Sequence, residues 1–256
     1  MNTQLDVSKI VAYHSQSQIA RVLTEKWVND NMFCPHCGNS FIKQFPNNQP
    51  VADFYCPACQ NEYELKSMKG LIGQKITDGV YDTMIERITS NHNPDFLFMR
   101  YSLTEMQISD LLFVPKYFLL PEIIEKRKPL RPTARRAGWV GCNILVNKIP
   151  IQGCIQIIKN GTSISKDDVL EQVALSKKLK TENLQNRGWL FDILTCVNKI
   201  SNEEFTLKEI YANENKLHLK YPQNKNIRPK IRQQLQSLRD KGFIEFLGNG
   251  YYRKVL

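Results

Sequence analysis

The sequence predicts an α/β chain of the α+β kind, a mixed sheet with flanking helices, followed by a small helical domain that ends in a β-hairpin. Three observations carry that expectation. Segments with helical and strand periodicity follow one another as helix, strand, strand, helix, strand, strand up to Val114. Two Cys-x-x-Cys pairs are threaded into this alternation. Beyond residue 182 the periodicity is helical until a hairpin around Gly248-Asn249-Gly250.

Taken in order, Ile19, Val22, Leu23 and Trp27 recur at helical spacing between Ser17 and Asn31, with Ser17 as the cap. Trp27 is expected in the core, against a sheet. Asn47-Asn48-Gln49-Pro50 marks a turn, Val51 to Tyr55 reads as a strand, and Tyr63 to Ser67 as its return. A helix from Thr77 to Ser90 is expected to bury Val80, Met84, Ile85 and Ile88 and to end at Asn91-His92-Asn93-Pro94. Phe96 to Tyr101 and Ile108 to Val114 read as further strands. Lys116 to Arg136 holds seven Lys or Arg against two Glu, and Pro121, Pro129 and Pro132 break regular structure there. Gly153 to Ile158 reads as a strand, closed by a turn at Asn160-Gly161. Ser165 caps a helix to about Lys180, with Asp167 and Asp168 in its first turn, where they favour the dipole.

The domain boundary is placed in the polar connection Thr181-Glu182-Asn183, giving domains 1–182 and 183–256. In the second, helices are expected at Trp189 to Ile200, Phe205 to Asn213 and Arg228 to Lys241. Strands Phe243 to Leu247 and Tyr251 to Val255 close it. Three helices and a hairpin make a winged helix; residues 213–226 carry no assignable feature.

The chain has 256 residues and a net charge of +10, a surplus that favours a polyanionic partner. No apolar run is long enough for a membrane span, and the N-terminus lacks the pattern of a signal peptide. Of seven cysteines, an odd number, four stand in Cys-x-x-Cys pairs, which fits a reducing compartment. A cytoplasmic protein, monomeric in solution, is expected.

Cys34-Pro-His-Cys37, eighteen residues, then Cys56-Pro-Ala-Cys59 is the array of a zinc ribbon. Each knuckle places two thiolates at corners of a tetrahedron, and four thiolates leave no open position, so a structural Zn2+ is expected rather than a catalytic one. His36 is expected to be exposed and not a ligand. Cys142, Cys154 and Cys196 are isolated and expected to be buried.

Asp53 stands just before the second pair and Glu64-Leu65-Lys66 just after it. On a strand Glu64 and Lys66 share one face while Leu65 points to the core. If the two strands pair, Asp53 comes beside Glu64. Two carboxylates can hold a hard cation such as Mg2+, together with the Leu65 backbone carbonyl, and leave positions for water and phosphate. Lys66 would orient the water and stabilise developing negative charge. The same spacing also suits a solvated strand face with an ion pair of little energetic value.

In Arg228 to Lys241, Ile231, Leu235 and Leu238 form an inner stripe, and Lys230, Gln233, Gln236 and Ser237 the opposite face, flanked by Arg232 and Arg239. Gln pairs with adenine, and Arg or Lys reach guanine or phosphate, as on a recognition helix. Residues 183–256 hold thirteen Lys or Arg against seven Asp or Glu.

Pro50-Val-Ala-Asp53-Phe-Tyr-Cys56, Glu64-Leu-Lys66, Pro132-Thr-Ala-Arg-Arg-Ala-Gly-Trp139 and Ile231-Arg-Gln-Gln-Leu-Gln236 together resemble the DpnI-like family of methyl-directed restriction endonucleases. The resemblance covers nearly the whole chain. It implies a PD-(D/E)XK nuclease domain and a winged helix, with Mg2+-dependent cleavage of double-stranded DNA at G-A-T-C sites bearing N6-methyladenine on both strands. It implies catalytic roles for Asp53, Glu64 and Lys66, and Zn2+ on Cys34, Cys37, Cys56 and Cys59. It also makes Arg135, Arg136 and Trp139 candidates for DNA and methyl contact. Pro50 stands three residues before the acid rather than next to it, a departure from the wider superfamily. Two competing readings remain at this point: a zinc-ribbon and winged-helix regulator without chemistry, and a less specific Mg2+-dependent repair nuclease.

Overall fold

The computed structural model describes residues 1–6, 15–46, 52–90 and 92–255. The chain divides into two compact units, Met1–Ser176 and Lys177–Leu256.

The first unit is built on a seven-stranded mixed sheet. Helix α1 (Gln16–Asn31) opens it, followed by β1 (Lys43–Gln44), β2 (Phe54–Tyr55) and β3 (Glu62–Met68). Then come β4 (Ile76–Val80), α2 (Tyr81–Thr89), β5 (Asp95–Ser102) and β6 (Gln107–Val114). Strands β7 (Ile124–Lys126), β8 (Gly141–Ile144), β9 (Ile155–Lys159) and β10 (Thr162–Ser163) precede helix α3 (Lys166–Lys177). The main sheet runs β1-β2-β3-β5-β6-β9-β10, and β4, β8 and β7 form a second, three-stranded sheet in that order. Only β3 and β5 pair in parallel; the other neighbours in the main sheet are antiparallel.

Periodicity explains why these segments bury what they bury. Leu23, Trp27 and Val28 of α1 join Leu97, Met99, Leu111, Phe113, Ile155, Ile157, Val169 and Val173 in one core. Trp27 is 2% exposed and its indole N–H donates to the Asn2 carbonyl at 3.0 Å, so it is a core residue with its one polar atom satisfied. Helix α1 is capped two residues earlier than expected, with Ser15 rather than Ser17 in the cap position and no side-chain cap bond. Ile19 and Val22 are only half-buried because the inward stripe runs through Ala20, Leu23, Thr24, Trp27 and Val28. At α3 the Ser165 hydroxyl accepts from the Asp168 amide at 3.1 Å, the capping that the residue types favour.

Further expectations about regular structure fail in the first unit, where Gly153 lies in a 3-10 turn and its strand starts only at Ile155. Thr77 to Val80 is strand, not helix: it pairs antiparallel with β8 in the register Thr77↔Asn143, Asp78↔Cys142 and Val80↔Gly141. Val80 is exposed, and the helix starts only at Tyr81. Gly79 makes a helix costly there, and the partner that rewards a strand lies more than sixty residues away. Lys116 to Arg136 is not without regular structure either, since it contains two 3-10 turns and β7. Helix α3 stops at Lys177, short of Lys180. The turn at Asn47 to Pro50, the strand start at Val51 and the helix stop at Asn91 lie outside the described residues.

The second unit holds α4 (Leu184–Lys199), β11 (Glu204–Thr206), α5 (Leu207–Tyr211), α6 (Glu214–Lys220), α7 (Ile227–Asp240), β12 (Ile244–Gly248) and β13 (Tyr251–Lys254). Its sheet runs β11-β13-β12. Phe205 lies in a strand rather than a helix, because Glu204 to Thr206 pair with Tyr251 to Arg253 of the wing. Thr206 then caps α5 in a reciprocal box with Glu209. The stretch without a sequence signature contains α6, whose Leu217 is buried. Helix α7 begins at Ile227, with Pro229 in its first turn, where no amide hydrogen is needed. Ile227, Ile231, Leu235 and Leu238 are buried on its inner side.

Each unit has its own buried core, so residues 177–256 are expected to fold alone. Their thermal unfolding, followed by circular dichroism, should be a single cooperative transition; a gradual, featureless melt would contradict an independent core.

Candidate active site and metal centre

The four cysteines come together as two near-identical knuckles. In the first, the Cys34 amide donates to Asn39 O at 2.8 Å and the Gly38 amide to Cys34 O at 2.9 Å. In the second, the Cys56 amide donates to Asn61 O and the Gln60 amide to Cys56 O, both at 2.9 Å. The sulfur atoms of Cys34, Cys37, Cys56 and Cys59 all lie within 4.8 Å of one another, with Cys34–Cys59 at 3.5 Å and Cys37–Cys56 at 3.6 Å. Four thiolates around a tetrahedral zinc stand about 3.8 Å apart, given Zn–S bonds of about 2.3 Å. The cluster therefore fits Zn2+. Burial pushes the Cys59 thiol up, but the Asn61 backbone and side-chain amides and the neighbouring thiols outweigh it and bring it down to about 7. Burial pushes the Cys34 and Cys37 thiols the other way, above their ordinary value.

His36, within the first knuckle, is not exposed. Its imidazole is 14% exposed and pairs through Nε2 with Asp95 Oδ2 at 2.7 Å, edge-on to Phe113. Asp95 is fully buried and its other oxygen accepts from the Lys116 amide at 2.8 Å. His36 thus pins the knuckle to β5 and is no part of the four-sulfur group. Cys142 is buried as expected, whereas Cys154 and Cys196 are half-buried.

The second knuckle sits between β2 and β3 and fixes their pairing, Phe54 opposite Tyr63 and Tyr55 opposite Glu62. Asp53, just before β2, extends the ladder. Its amide donates to Tyr63 O at 3.0 Å, and its Oδ2 accepts from the Leu65 amide at 2.7 Å, where a backbone carbonyl would otherwise stand. Asp53 is thereby held beside Glu64. Burial first, and then the Glu64 charge, push the Asp53 carboxyl up to about 6.

Glu64 and Lys66 share one face of β3, Nζ to Oε1 at 2.9 Å, and Leu65 packs on the core. Glu64 Oε2 also meets Arg87 of α2 at 3.1 Å. Lys66 has a second carboxylate partner, Asp78 of β4, at 2.8 Å. Burial lowers the Lys66 pKa, but the Glu64 and Asp78 carboxylates outweigh it and raise it above its ordinary value. Neither Arg87 nor Asp78 had a sequence signal. Asp78 falls in the strand misread as helix, and Arg87 is one arginine among many.

The basic loop between β7 and β8 gathers a second group. Leu130 donates to Trp139 O at 3.0 Å and Gly138 to Leu130 O at 3.1 Å, closing the loop on itself. A pocket of about 410 Å3 is lined by Leu130, Ala134, Arg135, Arg136 and Trp139. Arg135 and Arg136 are exposed. Trp139 is half-buried, not a core tryptophan, and its ring lies over Gly141, where a Cβ would stand 2.6 Å from two ring carbons.

On α7, Arg232, Gln233 and Gln236 are exposed, but Lys230 and Ser237 are only half-buried, at the margin of the outer face. Lys230 donates to Asn186 Oδ1 at 3.1 Å and Arg232 to the Tyr211 hydroxyl at 3.0 Å. None of the described helices is long and apolar enough to cross a membrane.

Two carboxylates and a lysine gathered around β3, a four-thiol cluster and a separate helical unit closed by a β-hairpin are the arrangement to compare with known families. Residues 1–182 match the Dam-replacing family, DpnI, and residues 185–254 match the Dam-replacing HTH domain. The chain belongs to this family of restriction endonucleases, and DNA is its partner.

Two outcomes are expected. Purified protein should contain about one equivalent of zinc, and removing it should unfold the first unit, because such sites contribute on the order of 10 kcal/mol to folding. Normal activity in zinc-free protein, by elemental analysis, would refute that role. Asp53→Asn should stabilise the protein in the absence of added divalent cation. A folded-state pKa raised from 3.8 to about 6 gives stability that is complete where Asp53 is protonated and is lost as pH rises to 6. The native residue is thus unfavourable by up to about 3 kcal/mol at neutral pH and costs nothing at about pH 4. Thermal melts at the two pH values should show a gain in the neutral sample alone.

Proposed function

We propose that the protein is a methylation-dependent type II restriction endonuclease that hydrolyses double-stranded DNA at G-A-T-C sites carrying N6-methyladenine. In this reading residues 1–182 form a PD-(D/E)XK catalytic domain and residues 183–256 a DNA-reading winged helix. The observation that carries it is the meeting of Asp53, just before β2, with Glu64 and Lys66 of β3 in a chain of the Dam-replacing family.

The residues fit a hard divalent cation. Asp53 and Glu64 offer carboxylate oxygens, and a strand residue directs its N–H and C=O to the same edge. The Leu65 carbonyl therefore leaves on the side where its amide meets Asp53. These three groups would hold Mg2+, which supplies charge against the scissile phosphate and acidifies a water. Asp53 is oriented by the Leu65 amide. Lys66, kept charged by the carboxylates around it, places a cation beside the phosphate, orients the attacking water and stabilises charge as the P–O bond to the leaving group breaks.

DNA contacts are assigned to Arg135, Arg136 and Trp139 in the first unit and to Lys230, Arg232, Gln233, Gln236 and Ser237 in the second. Trp139 offers a half-buried apolar face flanked by two arginines, a surface suited to a methyl group near phosphate. One methyl against such a face contributes about 0.8 kcal/mol, roughly a fourfold preference. Methyl dependence then requires two methyls sensed together and read again by the second unit.

Asp53→Ala, Glu64→Ala and Lys66→Ala should each abolish cleavage while DNA binding persists, as gel-shift and plasmid digestion in Mg2+ will show. Native-rate cutting by any of them removes that residue from the site. On three duplexes differing only in methylation, the fully methylated one should be cut fastest, the hemimethylated one far more slowly and the unmethylated one barely at all. Equal rates would refute methyl dependence, and Trp139→Ala should flatten the gradient.

A further inference from the structure

Asp78 has one carboxylate oxygen in use and one without a partner. Its side chain is 7% exposed. Oδ1 accepts from Lys66 Nζ at 2.8 Å and from the Gly79 amide at 2.7 Å, while Oδ2 is buried and has no hydrogen-bond partner. A buried, unsatisfied carboxylate oxygen is costly, and such a group calls for a specific reason.

The reason lies in how Lys66 is shared. Its ammonium lies between Glu64 Oε1, at 2.9 Å, and Asp78 Oδ1, at 2.8 Å. Glu64 has its other oxygen on Arg87. Both Glu64 oxygens are thus engaged by protein cations, and a divalent cation on Asp53 and Glu64 must displace one of them. When Lys66 is the one displaced, it loses one of its two acceptors. An ammonium has three donors, and the free oxygen of Asp78 belongs to the carboxylate it already touches.

We propose that Asp78 is the positioning residue of the site: once a cation takes Glu64, the Lys66 ammonium closes onto both oxygens of Asp78 and is held there, charged, for the reaction. Oδ2 is the acceptor kept for that second arrangement. This inference rests on the reading of Asp53 and Glu64 as the cation site. Asp78 can hold its place while Glu64 changes partner because it stands on a different sheet. Strand β4 pairs with β8, and the Asp78–Val80 bulge opposite Cys142 and Gly141 sets the carboxylate independently of β3. The Gly79 amide fixes Oδ1 from its own strand.

The test has a structural arm and a kinetic arm. A crystal structure of the native full chain with Ca2+ and a methylated G-A-T-C duplex should show Ca2+ on Glu64 and Lys66 Nζ within about 3.2 Å of both Asp78 oxygens. Ca2+ in place with Lys66 still on Glu64, or with Asp78 Oδ2 itself on the ion, overturns this proposal alone. No ion at Asp53 and Glu64 overturns the cation reading and this proposal with it. In the kinetic arm, Asp78→Asn should lower the single-turnover cleavage rate by about 100-fold. DNA affinity and the Mg2+ concentration for half-maximal rate should stay native, and Asp78→Glu should recover part of the rate. A native rate for Asp78→Asn, or a raised Mg2+ requirement, refutes it. A loss of DNA affinity in step with rate marks a merely structural residue and refutes it too.

Discussion

The hydrogen bond from the Leu65 amide to Asp53 Oδ2 is the interaction on which the site depends. A strand end leaves its neighbour's next amide without an acceptor, and the first polar side chain beyond the end is well placed to supply one. Here that side chain is a carboxylate. Completing the ladder and placing an acid next to Glu64 are therefore one event. The geometry holds only if β2 and β3 stay in register, and β2 is two residues long, too short to set its own register. The second cysteine knuckle makes the turn between them, and the first ties that turn to β5 through His36 and Asp95. The four-cysteine cluster lies apart from the proposed catalytic residues but fixes where Asp53 and Glu64 stand.

Much of this was legible in the sequence because it is local. The two knuckles, the acid before one and the Glu-x-Lys after it fall within thirty-three residues, and the alternation of faces on a strand fixes what meets what. Helices α1 and α7 were legible for the same reason, each carrying its own apolar stripe, and α3 through Ser165 and the acids of its first turn, whereas α4 starts at Leu184, five residues before the expected Trp189. What failed is what needs a distant partner. Strand β4 carries no signal of its own, since its reason to be extended is β8; β7 is hidden in a basic, proline-rich run for the same cause. Strand β11 looked like the start of a helix because its pairing with β13 lies almost fifty residues on. Burial of single residues failed where chemistry and charge compete. The residue type of His36 favours the surface, yet a fully buried aspartate gives it a partner inside.

The second unit uses polar groups differently from the first. Gln234 is buried on α7 among Ile231, Leu235 and Leu238, whereas Gln233 and Gln236 on the outer side are exposed. Arg228 stacks over the Tyr211 ring and pairs with Glu214, and Arg232 reaches the Tyr211 hydroxyl, so short helices α5 and α6 brace the long one through its cations. Exposed pairs of this kind add little stability. Their effect is to hold long side chains in a limited set of poses, which lowers the entropy lost when a helix face meets a rigid partner.

The two knuckles differ at two positions, His36 against Ala58 and Gly38 against Gln60. Gly38 and Gln60 follow the second cysteine of each pair, and both have left-handed backbones, at φ +72 and +59. Around Gly38 the space is taken: a Cβ there would stand 3.0 Å from Leu170 Cδ1 and 3.2 Å from Lys166 Cε of α3. Gln60 is exposed, and its side-chain Nε2 donates to Pro57 O at 2.9 Å, which offsets part of the left-handed penalty. At one position a side chain would crowd Leu170 and Lys166 as well as strain the backbone; the other is open to any residue that tolerates the conformation. Duplicate turns thus drift apart under unequal crowding, and a search pattern demanding glycine after both pairs would pass this protein by.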